Sequence, residues 1–335
     1  MNKVILTHRY SEEAISLLQH EFQLLIAADQ GSDIPGFLQR HADADGLISF
    51  LSDPIDGTTI KGLKKLKIIA NYAVGYNNID VGCALKRNVL VTHTPDVLTE
   101  ATADLTMALI LSVSRRLVEG DAFVRAGRFT GWEANLFLGK ELRGAVLGIV
   151  GMGRIGLATA RRARSFGMKI VYYSRSAKPA LEKKHGFAHV TFLELIRAAD
   201  IVSLHLPYSP GVHHLFNRDV FALMKKDAIF INAARGALMD EEALVEKLEK
   251  NERFGAGLDV YEDEPAVNEK LKHLKNTVLL PHLGSATGKT RRIMAMMTVQ
   301  AVRQALNGKR PRHLIPEWKE RLRKQGTGDR VQGTG

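Results

Sequence analysis

Cysteine is nearly absent: Cys83 is the single one among 335 residues. One thiol excludes an intramolecular disulfide and a cysteine metal cluster, and it fits a reducing compartment. Long apolar runs are missing too. The longest, MALILSV at 107–113, is far short of the roughly 20 residues that cross a bilayer. The opening MNKVILTHRY carries an apolar run of only three residues, too short for a secretory signal. A cytoplasmic protein with no membrane partner is expected. Acidic residues are fewer than basic ones, 36 against 47, for a formal net charge of +11. The basic residues are spread along the chain rather than gathered on one element with aromatics between them. Nucleic acid is therefore not an expected partner, whereas a basic surface favours anionic substrates and cofactors.

What is present is alternation. Residues 3–8, 24–28, 46–51, 67–73 and 89–94 are short apolar runs that predict strands, with helical segments at 11–22, 35–42 and 80–88 between them. A long helix is predicted over 100–125, then an irregular glycine-containing stretch over 126–144. A second alternating run predicts strands at 145–150, 169–174, 200–207, 228–234, 255–261 and 277–281, and a final helix over 287–308. Strands apolar on both faces, alternating with helices, imply parallel sheets covered on both sides. The fold class is therefore α/β, with two doubly wound parallel-sheet domains. Residues 319–335, rich in Gly and Thr, are expected to form a disordered tail.

VLGIVGMGRIG gives Gly151-x-Gly153-x-x-Gly156 between an apolar strand and a helix. That context makes a dinucleotide turn. The first glycine turns the chain, the second lets backbone approach a pyrophosphate, and the third packs helix on strand. Candidate cofactor contacts here are Gly151, Met152, Gly153, Arg154, Ile155 and Gly156, because the pyrophosphate sits on the helix N-terminus. In such sheets ligands lie beyond the carboxyl ends of the strands. Those ends carry Arg175 after 169–174, Pro207 after 200–206, Ala233-Ala234 before Arg235, the acids of YEDEP (261–265), and His282 after Pro281. An arginine to bind a keto-acid carboxylate, a histidine to move a proton and an acid to orient it suit hydride transfer. His213 and His214 are adjacent with no carboxylate at ligand spacing nearby, so no metal is expected.

The strand at 169–174 ends without the acid that usually accepts from an adenosine ribose. No acid occurs from 172 to 181; Glu182 is the next. Ser174, Arg175 and Ser176 offer hydroxyls and a guanidinium instead, with Lys178 close by. That set suits a 2′-phosphate, so NADP(H) is the preferred cofactor, with NAD(H) possible.

These motifs are similar to those of the D-2-hydroxyacid dehydrogenase family, most closely its glyoxylate/hydroxypyruvate reductase branch. The resemblance spans roughly 3–318 and rests on ANYAVGYNNID (70–80), HTPDVLTEATADLTMALIL (93–111), LGIVGMGRIG (147–156), FINAARGALMDEEAL (230–244), GAGLDVYEDEP (255–265) and LLPHLGSAT (279–287). It implies Arg235, Glu264 and His282 as catalytic residues; Glu264 is preferred to Glu262 because the family's acid directly precedes a proline. It implies nicotinamide-side contacts at Thr102, Ala233, Asp259 and Gly284, and a substrate-carboxylate loop at Val74-Gly75, with Leu51 also shaping the pocket. It further implies a substrate domain of 1–98 plus 285–318, a nucleotide domain of 99–284 with hinges near 99 and 284, an active site in the cleft, and a homodimer through the nucleotide domains with 126–144 reaching across. Reductases of the branch often carry a Trp where this chain has Leu136. The expected substrate is a small 2-keto acid of the glyoxylate or hydroxypyruvate type. 2-Ketogluconate and a nucleotide-sensing, corepressor-like binding protein are the alternatives.

Overall fold

A computed structural model describes residues 1–31 and 33–328. The chain divides into two compact units, residues 1–97 with the segment from Thr287 onward, and residues 98–286. No helix among the described residues is long and apolar enough to cross a membrane.

The first unit holds five strands: β1 (Lys3–Leu6), β2 (Gln23–Ile26), β3 (Gly46–Ser49), β4 (Ile68–Asn71) and β5 (Leu90–Thr92). All pair in parallel, in the order β2-β1-β3-β4-β5. β3 and β4 are buried along their whole length, which explains their unbroken apolar runs. One face is covered by the helix Gly288–Leu306, whose Ala295, Val299 and Val302 pack with Val4, Leu6 and Ile68. Leu314, Ile315 and Trp318 close the other core with Ile5, Leu47 and Val91.

The second unit holds seven parallel strands: β6 (Val146–Val150), β7 (Lys169–Tyr173), β8 (Ala188–His189), β9 (Ile201–Leu204), β10 (Ile229–Asn232), β11 (Gly255–Leu258) and β12 (Thr277–Leu279). Their order is β12-β11-β10-β9-β6-β7-β8. The order reverses between β6 and β9, where Leu147 faces Ile201 and Val150 faces Leu204. That reversal opens the crevice in which such sheets bind ligands.

Four details differ from the sequence reading. The helix expected over 100–125 is two helices, Thr99–Ser114 and Leu117–Arg125. Lys140 N donates to Ser114 O (2.7 Å), so that carbonyl bonds outside its own helix, and Arg116 turns left-handed at φ 52°. The stretch 319–328 is not an unstructured tail. It continues the helix Pro316–Gly328, which is anchored by buried Trp318 donating Nε1–H to Val89 O (2.9 Å). The rest of the expected tail, 329–335, lies outside the described residues. The two-residue strand β8 was not anticipated. The strand expected over 200–207 is shorter, since β9 ends at Leu204; His205 lies beyond it, and its N–H donates to Val150 O (2.8 Å).

His205 also sets an acid limit on the fold. Its Nε2 meets Ser203 Oγ (2.9 Å), and burial lowers its pKa from 6.5 to about 3. The folded imidazole stays neutral while the unfolded one binds a proton below pH 6.5. Stability is thus complete above the unfolded value and is lost as pH falls toward the folded one. Between pH 7 and pH 5 this group alone should remove about 2 kcal/mol. Urea unfolding of wild type and His205→Asn at the two pH values should show a loss smaller by that amount in the variant. Equal losses would refute the assignment.

Candidate active site

The glycine turn follows β6 directly. Gly151 has φ 103°, and a Cβ there would lie 2.8 Å from the His205 carbonyl, so the turn closes against the end of β9 with room only for glycine. A Cβ on Gly156 would lie 2.3 Å from Gly151 O, which brings the helix Arg154–Ser165 tight onto the turn. Gly153 differs: nothing lies within 4 Å of a Cβ there. It is the N-cap of that helix, and no side chain caps the first turn. Open space over the N–H groups of a twelve-residue helix fits a pyrophosphate. Met152 points into the core (1% exposed), so only its backbone can face a ligand. Ile155 is half-buried; Arg154 and Pro207 are exposed.

Beside the turn, Glu182 is not available to a ribose. Its Oε1 accepts from the hydroxyl of fully buried Tyr172 (2.7 Å) and from Lys178 N (3.2 Å). Burial and then the Glu182 carboxylate raise the Tyr172 pKa. Ser174 Oγ donates to Ser176 O (2.7 Å), folding 174–176 into a compact turn on which Arg175 is exposed.

The other strand ends carry Glu264, His282 and Arg235. Glu264 Oε2 lies 2.8 Å from His282 Nδ1, and Glu264 Oε1 accepts from Tyr261 N (3.0 Å). Burial alone would raise the Glu264 pKa. The hydrogen bond and charge of His282, the Tyr261 N–H and the charge of Arg235 outweigh it and hold the carboxyl below its usual range. Both side chains remain about one third exposed, so the pair can meet a solute. His282 has φ 55°, an uncommon conformation for a residue with a side chain. It is held by Asp259, 1% exposed, which accepts from Leu283 N (2.6 Å) and Gly284 N (2.8 Å). Thr102 Oγ1 donates to Gly284 O (2.9 Å). Thr102, Asp259 and Gly284 thus form one cluster under the histidine.

Arg235 follows β10. Its Nη1 donates to Ala234 O (2.6 Å), and burial lowers its pKa against the opposing charge of Glu264. The guanidinium stays charged regardless. Asn232, fully buried, braces this turn by donating to Arg235 O (2.9 Å) and accepting from Ala234 N (3.1 Å). Ala233 and Ala234 are half-buried beside it. A Cβ on Gly236 would lie 1.8 Å from Tyr261 O, so the arginine turn and the Glu264 turn touch backbone to backbone. Asn232 was missed in the sequence, although an apolar strand ending in Asn was a visible signal.

One expectation is corrected. A carboxylate does lie beside His213 and His214: Glu262 Oε1 bonds His214 Nε2, and ligand atoms of all three residues lie within 4.8 Å of one another. The fold brings together residues 48 positions apart, which spacing along the chain could not reveal.

Leu51, Val74 and Gly75 belong to the first unit and follow β3 and β4. Val74 O meets His93 Nδ1 (2.9 Å), and Gly75 O accepts from Asn71 Nδ2 (2.8 Å), so this loop is held from both sides.

The family model described as "D-isomer specific 2-hydroxyacid dehydrogenase, NAD binding domain" matches residues 107–284. Over 318 residues the chain is 44% identical to the glyoxylate reductase of Thermococcus litoralis, covering 93% of this chain and 96% of that protein. The crystal structure of a Thermus thermophilus protein superposes with a TM-score of 0.86 at 42% identity, over 93% of this chain and 99% of that one. The NADPH-dependent glyoxylate/hydroxypyruvate reductase of Sinorhizobium meliloti, solved with NADP and malonate, gives 0.83 at 31% identity, over 94% and 97%. With this turn, this sheet order and these relatives, the chain belongs to the D-isomer specific 2-hydroxyacid dehydrogenase family and is an NAD(P)-dependent oxidoreductase.

Proposed function

We propose that the protein reduces small 2-keto acids of the glyoxylate or hydroxypyruvate type to D-2-hydroxy acids, with NADPH preferred to NADH. The observation that carries the reading is the 2.8 Å contact between Glu264 Oε2 and His282 Nδ1, beside the charge of Arg235. The nicotinamide supplies the hydride when bound. Arg235 holds the substrate carboxylate with its planar fork and polarises the adjacent carbonyl. Glu264 fixes Nδ1 of His282, which leaves Nε2 to give its proton to the carbonyl oxygen. Leu51, Val74 and Gly75 keep the substrate-binding role implied by the resemblance, and Ala233, Ala234, Thr102, Asp259 and Gly284 the nicotinamide side.

The cofactor preference rests on the turn after β7. Glu182 is engaged by Tyr172, and Arg175 has no partner among the described residues to compete with a phosphate. The relative from Sinorhizobium meliloti is described as NADPH-dependent. A homodimer is supported by the surface of 117–138. Leu117, Val118, Val124, Phe129, Trp132 and Leu138 are each more than half exposed, and Trp132 is 85% exposed. So much apolar surface on one segment marks an interface.

Three outcomes test these points. His282→Ala should lower kcat about 10²- to 10⁴-fold in glyoxylate reduction followed at 340 nm, the range for a positioned proton donor. Cofactor binding without turnover of any 2-keto acid by the wild type would favour the corepressor-like alternative. Arg175→Ala should weaken kcat/KM for NADPH about 10- to 150-fold, as one charge-assisted contact warrants, and leave NADH nearly unchanged. Equal loss with both cofactors would remove the phosphate site. In light scattering, wild type should have twice the chain mass and Trp132→Asp combined with Leu138→Asp should be monomeric; a monomeric wild type would end the dimer proposal.

A further inference from the structure

Glu241 is a carboxylate that the proposed chemistry does not use. It is the first residue of the helix Glu241–Glu249 and is 7% exposed. Burial, and then the neighbouring charges of Glu262 and Asp263, raise its pKa against two backbone hydrogen bonds that lower it. An acid placed at such a cost needs a structural reason. Capping its own helix is not that reason, because Asp240 already accepts from Ala243 N (3.0 Å).

Its two oxygens point elsewhere. Oε2 accepts from Glu262 N (3.0 Å) and Oε1 accepts from Asn268 N (3.1 Å). Those two N–H groups flank the turn that carries Glu264. Glu262 answers in kind: its Oε2 accepts from Glu241 N (3.4 Å), while its Oε1 bonds His214 Nε2. His214 is held at φ 49°, with its own N–H on Ala237 O (3.0 Å), one residue past Gly236. The Glu264 turn is therefore clamped at both ends by one buried carboxylate. Through His214 it is tied to the same turn that carries Arg235.

The clamp reaches the chemistry through one further bond. Tyr261 N donates to Glu264 Oε1 (3.0 Å), so the aim of the Glu264 carboxylate at His282 depends on the backbone at 261–262, where Glu241 grips. We propose that Glu241 is a positioning residue that acts through Glu264, holding its carboxylate on His282. This inference rests on the reading of Glu264 and His282 given above.

The test is a double-mutant cycle on the full chain, with wild type, Glu241→Ala, Glu264→Gln and the pair. Glu241→Ala should lower kcat in keto-acid reduction about 10- to 100-fold, the scale of an ångström-sized misplacement. NADPH affinity, read by fluorescence titration, should stay unchanged. Glu241→Gln keeps one acceptor oxygen and should recover part of the loss. In the Glu264→Gln background, Glu241→Ala should cost less than about 3-fold, because residues acting as one unit are not additive. The same factor in both backgrounds would overturn the proposal while leaving the role of Glu264 intact. Full turnover of Glu264→Gln alone would instead overturn the reading on which the proposal stands. If Glu241→Ala fails to fold, Glu241→Gln takes its place in the cycle, with the same two outcomes deciding.

Discussion

The site depends on one buried carboxylate. Asp259 directly follows β11 and spends both oxygens on the N–H groups of Leu283 and Gly284. Without it the loop after β12 has no internal partner for those donors, and His282 has no reason to hold a left-handed conformation. Burial raises the Asp259 pKa, and the Leu283 and Gly284 N–H groups and the charge of His282 oppose that rise. A charge this deep is tolerable only when its lone pairs are used. The arrangement is thus self-consistent: the acid is stabilised by the loop it orders.

The same logic recurs at neighbouring strand ends. Asn232 spends its amide on the Arg235 turn, Thr102 its hydroxyl on Gly284 O, and Glu241 its carboxylate on the Glu264 turn. Each buried polar side chain serves backbone groups that the parallel sheet leaves unpaired where its strands stop. Arg235, Glu264 and His282, which are only partly exposed, stand on these braced turns, while the apolar strands below set only the spacing. Division of labour between buried braces and partly exposed groups keeps the geometry fixed while leaving Glu264 and His282 open to a solute.

Most of this fold was legible because its signals are local. Both sheets announce themselves as apolar runs separated by helical segments, and Gly151, Gly153 and Gly156 mark the turn between strand and helix. Arg235, His282 and the acids of YEDEP could be read as strand-end residues, the choice of Glu264 among those acids came from the family resemblance, and the structure places Glu264 and His282 in contact. What escaped the sequence was non-local. The helix break at Arg115-Arg116 coincides with a bond from Lys140 to the last helical carbonyl, a contact made across 26 residues. The pairing of His214 with Glu262 joins different strand ends. The stretch 319–328 looks like a polar tail by composition, yet it continues the helix Pro316–Gly328, whose Trp318 buries against Val89 and whose Leu322 packs on the core of the first unit. Burial of one aromatic residue outweighed a local composition that favours disorder.

The first unit is built from both ends of the chain. Val4 and Leu6 pack with Val299 and Val302, and Ile5 shares a core with Trp318. The second unit is continuous from Leu98 to Ala286. On the ribosome, therefore, strands β1 to β5 emerge with the helices Glu12–Glu21, Ile34–Arg40, Gly57–Gly62 and Val81–Lys86 but without Gly288–Leu306 and Trp318, which complete the two cores. About 220 further residues must be made before Trp318 exists, roughly 10–45 s at ordinary synthesis rates. The second unit has everything it needs to fold during that interval. The first must wait with both of its cores incomplete, which makes the nascent segment 1–97 the point at which a chaperone has most to do.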